Sequence, residues 1–335
     1  MTANLVDELR YYSFNRYLCS RFGCRVHKVT VHAGFTCPNR NGTVGVGGCT
    51  FCNNAGFSPG TRVEVAEVAR QLAEGIAAAR HRKARKFIAY FQAYTNTYGP
   101  VDRLKSLYDE AWKFPDIVGM SIGTRPDCVD EPILDLVRSY TARGEVWVEY
   151  GLQSAFNKTL EAINRCDTYE NFLRAVELTH ERGLKICVHT ILGLPGEDRE
   201  MMLETHRRLA CLPIDGIKIH LLHIMRNTEM ARRYACGEVE LLSRPRYASL
   251  VADVLEILRP DIVIQRMNAD APRDVLVAPL WCLDKAGVLE AIRAEQLRRD
   301  SWQGKALGFD RSAIPSANCP GRLTPNARHR LSAPI

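Results

Sequence analysis

The segment Cys37-Pro-Asn-Arg-Asn-Gly-Thr-Val-Gly-Val-Gly-Gly-Cys49-Thr-Phe-Cys52 places three cysteines and four glycines in one loop. The loop follows Val26 to Thr30, a run with three β-branched residues that we expect to form the first strand. Because glycine has no side chain, such a loop can wrap closely around a group that the cysteines bind. The segment therefore predicts a metal centre after the first strand.

Three thiolates are one fewer than most electron-transfer iron–sulfur clusters use. A [4Fe–4S] cube held by Cys37, Cys49 and Cys52 would keep one iron open as a Lewis acid. In radical S-adenosylmethionine (SAM) enzymes that iron binds SAM, and an electron from the cluster cleaves SAM to give a 5′-deoxyadenosyl radical. Phe51 is an aromatic residue where this class usually has one. We therefore predict a cluster with SAM as the second cofactor.

Two other interpretations of the cysteines stay open. Cys49 and Cys52 could form half of a zinc site, with Cys37 or a histidine as a further ligand. They could also be a redox dithiol. No second Cys-x-x-Cys or His pair follows at zinc-finger spacing, which favours the iron–sulfur interpretation.

Strand-like and helix-like patterns alternate from about residue 26 to about residue 222, which predicts an α/β chain with a parallel sheet. Six apolar runs are the predicted strands: Val26 to Thr30, Lys86 to Gln92, Ile117 to Ile122, Val146 to Tyr150, Lys185 to Leu192 and Gly216 to Leu222. We expect a partial (β/α)6 barrel of the radical SAM type with a C-terminal α/β extension, and an active site in the loops after the strands. Periodicity alone does not distinguish this barrel from an open doubly wound sheet.

The domain prediction follows from the same patterns. Residues 17–255 form the radical SAM core, and residues 256–306 form an extension packed on it, with a possible strand from Ile262 to Arg266. Residues 307–335, rich in Pro, Arg, Asn and Ser, are predicted to be a disordered basic tail.

Composition limits the other possibilities. Of 335 residues, 46% are hydrophobic, yet no apolar run of eighteen residues suggests a membrane span, and no signal peptide is apparent. A cytoplasmic location is expected, where the nine other cysteines are buried free thiols and not disulfides. The net charge of +7 permits a polyanionic partner.

The motifs resemble the YhcC-like family of radical SAM proteins, distant relatives of the Elongator catalytic subunit. Eleven residues separate the first two cysteines, whereas three is usual for radical SAM proteins, and the longer spacing is similar to this family. The resemblance spans residues 4–306 and includes the strand-end segments Tyr90 to Tyr98, Gly123 to Asp127, Glu149 to Ser154, His189 to Glu197 and Lys218 to His220.

The resemblance implies SAM-binding residues but names no catalytic one. Gln92 stands where many relatives have the Gly-Gly-Glu triplet that binds the SAM amine. Glu149 and Gln153 lie in the fourth-strand segment, and Gly193 and Glu197 in the motif that packs along adenine. A structural ion pair of Glu149 and a plain turn at Gly193 stay as alternatives.

Two charged pairs could hold an anionic substrate or could only stabilise loops: Arg125 with Asp127, and Lys218 with His220. Five Lys or Arg residues lie in Arg80 to Lys86, and eight, against three acids, lie between Ile292 and Ile335. These segments and the kinship with Elongator favour tRNA and its wobble uridine, with an electron donor such as flavodoxin or ferredoxin. Two alternatives stay open: the enzyme acts on a small metabolite, or the chain is a non-catalytic metal- or nucleic-acid-binding protein.

Overall fold

The structure, a computed structural model, describes residues 10–53, 65–81, 84–268 and 271–316. Helices alternate with strands along most of these ranges. The helices are α1 (Phe14–Phe22), α2 (Val65–Arg80), α3 (Val101–Asp109), α4 (Glu131–Ser139), α5 (Asn157–Ala162), α6 (Tyr169–Glu181), α7 (Arg199–Ala210), α8 (Glu229–Ala235), α9 (Arg244–Ile257) and α10 (Lys285–Arg298). The strands are β1 (Val26–Val31), β2 (Lys86–Phe91), β3 (Ile117–Thr124), β4 (Glu145–Gln153), β5 (Lys185–Leu192), β6 (Gly216–Leu221), β7 (Ile224–Met225), β8 (Val263–Arg266) and β9 (Leu276–Ala278).

Seven of the strands form one parallel sheet in the order β1-β2-β3-β4-β5-β6-β8. The sheet curls into a partial barrel, which confirms the predicted fold class. Parallel strands place their carboxyl ends at one edge, so the loops after β1 to β6 meet at the same end of the barrel. β7 and β9 form a separate antiparallel pair at that end, since β7 follows β6 directly.

The strands are apolar on both faces because helices cover the sheet outside and side chains fill it inside. In β2, for example, Phe87 to Phe91 are all buried. Helix starts after the strands are set by capping side chains, each accepting a hydrogen bond from a backbone N–H of the first turn. The capping residues are Asp130 for α4, Thr168 for α6, Asp198 for α7 and Ser243 for α9.

Several element bounds differ from the sequence prediction. β4 continues to Gln153 instead of ending at Tyr150, because its pairing with β5 extends beyond Gly151. The short elements α1, α8 and the β7–β9 pair were not predicted, since segments this short carry little periodicity. None of the described helices is long and apolar enough to span a bilayer.

The C-terminal part is continuous with the barrel in two ways. β8 lies where a possible strand from Ile262 to Arg266 was predicted and pairs with β6 in the same sheet, and α10 packs on α9. The structure describes the first part of the expected tail: Ile314 is buried in a cluster with Tyr12 and Trp147. Residues 317–335 lie outside the described residues, and the domain bounds 17–255, 256–306 and 307–335 stay predictions.

Stability should depend on pH through His206, which joins α7 to β5. Its ring nitrogens lie 2.7 Å from the Met202 carbonyl oxygen and 3.0 Å from the Thr190 hydroxyl. Burial lowers its pKa to about 4, so the unfolded chain takes up the proton first and stability falls as the pH drops from about 6.5 to about 4. Between pH 7 and pH 5 we expect the urea midpoint to fall less in His206→Gln than in the parent. A fall as large as the parental one would contradict this, and the exposed His180 supplies the control, His180→Gln.

Candidate functional site

The loop between Cys37 and Cys49 folds back on itself. The Arg40 backbone N–H donates to the Cys37 carbonyl at 2.9 Å, and the Gly48 N–H donates to the Asn39 carbonyl at 2.8 Å. A further turn is closed by the Cys52 N–H, which donates to the Cys49 carbonyl at 2.9 Å. The long spacing between the first two cysteines is therefore taken up by a local turn.

Two buried donors point at the Cys49 sulfur. The Asn39 amide Nδ2 lies 3.7 Å from Cys49 Sγ, and the Arg165 guanidinium Nη1 lies 3.8 Å from it. These two N–H donors orient the Cys49 side chain within the loop. Burial raises the pKa of Cys52 to about 11, so that side chain is protonated unless a bound cation displaces the proton.

The donor set of the cysteine loop fits an iron–sulfur cluster. Among the described residues, the group of three possible ligands with atoms within 4.8 Å of one another is Glu149, Cys187 and His189, so at least two of the three loop sulfurs lie farther apart than that. The donor set, three thiols with N–H donors behind one of them, fits a [4Fe–4S] cube that keeps one iron without a protein ligand.

A cavity of about 360 Å³ lies at the carboxyl ends of the strands, beside the cysteine loop. It brings together two of the predicted SAM-binding residues, Gln92 and Gln153, with Cys52. The rest of the wall is aromatic, aliphatic and basic, and includes Phe51, Tyr90, His189, Ile191, Lys218, His220 and Arg266. Asp and Glu are absent from the lining that the structure describes, so the cavity suits ligands with anionic groups.

Glu149 lies in the barrel interior with two lysines. Its carboxylate is fully buried, accepts from Lys28 Nζ at 2.6 Å and from Lys218 Nζ, and lies 3.0 Å from His189 Nε2. Burial raises the pKa of Glu149, but the Lys218 and Lys28 ammonium groups hold it well below its usual range. Lys218 also donates to the Tyr90 hydroxyl at 3.0 Å, so the network connects Glu149 with the cavity wall.

The protonation states of the partners follow from the same burial. Burial and the charge of Lys218 lower the pKa of His189 to about 4, so at neutral pH its neutral ring donates a hydrogen bond to Glu149. Burial also lowers the pKa of Lys28 to about 8, although Glu149 opposes this. A metal ion at Glu149, Cys187 and His189 is disfavoured, because two ammonium groups already occupy the carboxylate.

The sequence predicted that Glu149 ends the fourth strand, and the structure shows that this position is wrong. β4 runs on to Gln153, and Glu149 pairs with Gly123 and Cys187 in the middle of the sheet. The alternative of a structural ion pair matches what the structure shows, and the partners of Glu149 are Lys28 and Lys218. A contact of Glu149 with SAM stays a prediction.

Gly193 and Glu197 lie away from the Cys52 cavity. They line a separate cavity of about 740 Å³ between the β5–α7 loop and residues 238–250. Gly193 has φ of 86°, and a Cβ there would meet Leu242 at 3.4 Å, so glycine serves the turn. The Ser154 hydroxyl donates to the Glu197 carboxylate. Gly193 and Glu197 therefore do not line the cavity that Gln92 and Gln153 line, and their contact with SAM stays a prediction.

Arg125 and Asp127 bind each other, with two N–H···O bonds of 2.7 Å. Arg125 also donates to the Arg165 carbonyl at 3.0 Å and to the Cys166 carbonyl at 2.8 Å. The loop-stabilising interpretation of this pair therefore matches the structure, since the pair braces the segment that carries Arg165 towards Cys49.

Sequence reasoning missed Lys28, Asn39 and Arg165. Lys28 carried a signal, because a lysine inside the otherwise β-branched strand Val26–Val31 needs a buried partner. Asn39 and Arg165 carried none, since a polar residue in a loop is ordinary.

Family models match two parts of the chain. Residues 37–209 match the Radical SAM superfamily, and residues 214–298 match the Radical_SAM C-terminal domain. The first match holds the cysteine loop and β2 to β5, and the second holds β6 and β8.

Full-length relatives are similar over most of both chains. The uncharacterized protein YtqA of Bacillus subtilis is 41% identical, over 89% of this chain and 93% of its own. Protein YhcC of Escherichia coli is 42% identical, over 88% and 94%. A tRNA uridine(34) acetyltransferase of Methanocaldococcus jannaschii is 27% identical, over 48% of this chain and 30% of its own.

A solved structure shares the fold. The Methanocaldococcus infernus Elp3 with an N-terminal deletion aligns with a TM-score of 0.63 at 18% identity, covering 83% of this chain and 64% of that chain. The barrel and part of the C-terminal region therefore recur in that protein.

Proposed function

Because this chain belongs to the radical SAM superfamily, in the group that contains YtqA and YhcC, we propose that it modifies a uridine of tRNA with a cluster held by Cys37, Cys49 and Cys52. It is a radical SAM enzyme, and the cofactors of this class are a [4Fe–4S] cluster and SAM. The observation that carries the proposal is the cavity that joins Cys52 with Gln92 and Gln153 at the carboxyl end of the barrel.

The roles of the side chains follow from their positions. The three thiolates hold the cluster, and Asn39 and Arg165 orient and stabilise Cys49. When bound, the cluster and SAM supply a 5′-deoxyadenosyl radical that abstracts a hydrogen atom. Gln92 and Gln153 offer amide groups to the amine and carboxylate of SAM.

The second substrate lies against the basic wall of the cavity. Lys218 and His220 face an anionic group there, as the sequence suggested, while Glu149 neutralises part of the lysine charge from below. Phe51 and Ile191 give the cavity apolar walls that limit the access of water. The electron donor is a small redox protein such as flavodoxin or ferredoxin.

Support for a tRNA substrate comes from the relatives and from the shape of the barrel. The partial similarity to a tRNA uridine(34) acetyltransferase supports tRNA as the class of substrate. A partial barrel is open on one side, so it can admit an unpaired base from an RNA loop. A cavity of about 360 Å³ also has the size of a small-molecule site, which keeps a small metabolite as the second candidate.

The described part of the first basic segment does not reach this cavity. Arg80 ends α2, and Arg85 and Lys86 stand at the start of β2, so these residues lie at the amino end of the barrel, about 20 Å of strand away from the carboxyl edge. Arg80 is paired with Asp116. Arg82, Lys83 and the tail beyond residue 316 lie outside the described residues, and their contact with RNA stays a prediction.

Deletion of the gene should change the modified nucleosides of tRNA. We expect mass spectrometry of digested tRNA to show the loss of one modified uridine and the accumulation of its precursor, restored by the parent gene but not by Cys52→Ala. An unchanged profile would contradict the tRNA substrate and favour the small metabolite.

A further inference from the structure

A second recess adjoins the cavity at the carboxyl end of the barrel. β7 joins the two, because Met225 lines the cavity and the next residue, Arg226, lines the recess. Both spaces therefore border the end of the same short strand. We call this recess, of about 740 Å³ and including Arg226, Arg244, Arg273, Leu280, Trp281 and Asp284, the rim groove.

The rim groove is positively charged. Three arginines line it against one carboxylate, and that carboxylate, Asp284, is paired with Arg244 at 3.1 Å. In the part of the chain that the structure describes, no carboxylate is paired with Arg226 or Arg273. Within those residues, the charge of these two guanidinium groups is therefore available to an anion from outside.

Arg226 and Arg244 are held in place by the backbone. Arg226 Nε donates to the Asp274 carbonyl at 3.0 Å, and Arg244 Nη2 donates to the Trp281 carbonyl at 3.3 Å. Anchoring one edge of a guanidinium lowers the entropy lost when its other N–H groups bind a phosphate. Planar guanidinium groups bind phosphate oxygens with two parallel hydrogen bonds.

The groove also exposes apolar surface beside the arginines. Leu280 is 63% exposed and Val277 is 38% exposed, and Trp281 is half-buried with its ring 5.8 Å from Tyr247. Cationic groups interleaved with flat or apolar side chains suit a nucleic acid, which offers phosphates and base faces along one strand.

We propose that the rim groove binds the phosphodiester backbone of an RNA strand next to the base that enters the Cys52 cavity. This inference rests on the proposed function and names the surface that holds the substrate. Arg226 and Arg273 contact phosphates and carry affinity, while the cavity selects the base.

The experiment measures binding of unfractionated tRNA to the reconstituted full-length enzyme over a range of salt concentrations. The variant is Arg226→Ala/Arg273→Ala. The matched control is Arg138→Ala/Arg174→Ala, which removes two exposed arginines from the outer helices α4 and α6. Iron content and the unfolding midpoint of each protein check that it is folded.

The salt dependence gives the expected result. Each lost phosphate contact should lower the slope of log affinity against log salt by roughly 0.7 to 0.9, so the rim variant should bind more weakly and with a flatter slope than the control. If the parent binds tRNA and both variants keep the parental slope, or both change it equally, the rim groove is not the site. If the parent itself does not bind tRNA, the proposed function fails, and this inference fails with it.

Discussion

Replacing Cys37, Cys49 or Cys52 by Ala is expected to reduce the iron content from about four irons per chain to background, and to abolish reductive cleavage of SAM. Each thiolate would hold one iron of the cluster, so the loss of any one of them removes a ligand. The measurement is iron and sulfide content after anaerobic reconstitution, followed by assay of 5′-deoxyadenosine and methionine with dithionite. Each single variant should lose both properties.

The structure selects the control for this experiment. Cys211 is exposed at the end of α7, on the outside of the barrel, so Cys211→Ala should keep the parental iron content. Cys166 would be a poorer control, because a Cβ on Gly45 would meet Cys166 Sγ at 2.8 Å, which places this thiol against the cysteine loop. Stoichiometric zinc with no uptake of iron by the parent would contradict the cluster.

Glu149→Gln is expected to lower the free energy of unfolding by about 3–5 kcal/mol. The amide keeps the shape of the side chain but removes the charge between Lys28 and Lys218, and two ammonium groups then stay in the barrel interior without a counter-charge. Urea unfolding at neutral pH, on protein with equal iron content, measures the difference.

A glutamate on the protein surface provides the control for this unfolding measurement. Glu204 pairs with Arg207 and Arg208 on α7 and is partly exposed, so Glu204→Gln should cost less than about 1 kcal/mol. The same measurements distinguish the two possible roles of Glu149, which are a structural ion pair and a contact with SAM. Parental stability together with lost SAM binding would show that the carboxylate contacts SAM, as the family resemblance implies, and would contradict the structural role.

The cysteine loop and the interior network meet at the cavity from opposite sides. Arg165 reaches Cys49 and also donates to the Gly151 carbonyl in β4, two residues from Glu149. Lys218 lies between Glu149 and the Tyr90 hydroxyl. Residues of the sheet therefore anchor both Arg165 and Lys218 beside the cavity.

The features that the sequence alone determined are local ones. Three thiols in one glycine-containing loop are a chemical signal that needs no distant partner, and each of the six apolar runs is a strand because it can be buried on both faces. These signals were enough for a parallel α/β sheet and for the cysteine loop, whereas the barrel was expected from the family resemblance. The resemblance also marked Gln92 and Gln153, which follow β2 and end β4 and so reach the carboxyl edge.

Only the tertiary structure decided the contacts across the sheet and between loops. Glu149 and Lys28 are 121 residues apart, and Cys49 and Arg165 are 116 apart, so no spacing in the chain relates them. Strand register places a charged residue in the interior or at the edge, and a difference of a few residues moved Glu149 from the predicted strand end into the network with Lys28 and Lys218. The loop after β5 likewise places Gly193 and Glu197 at a different cavity. The position of a residue depends on the path of the backbone around it, and the sequence motif alone does not specify that path.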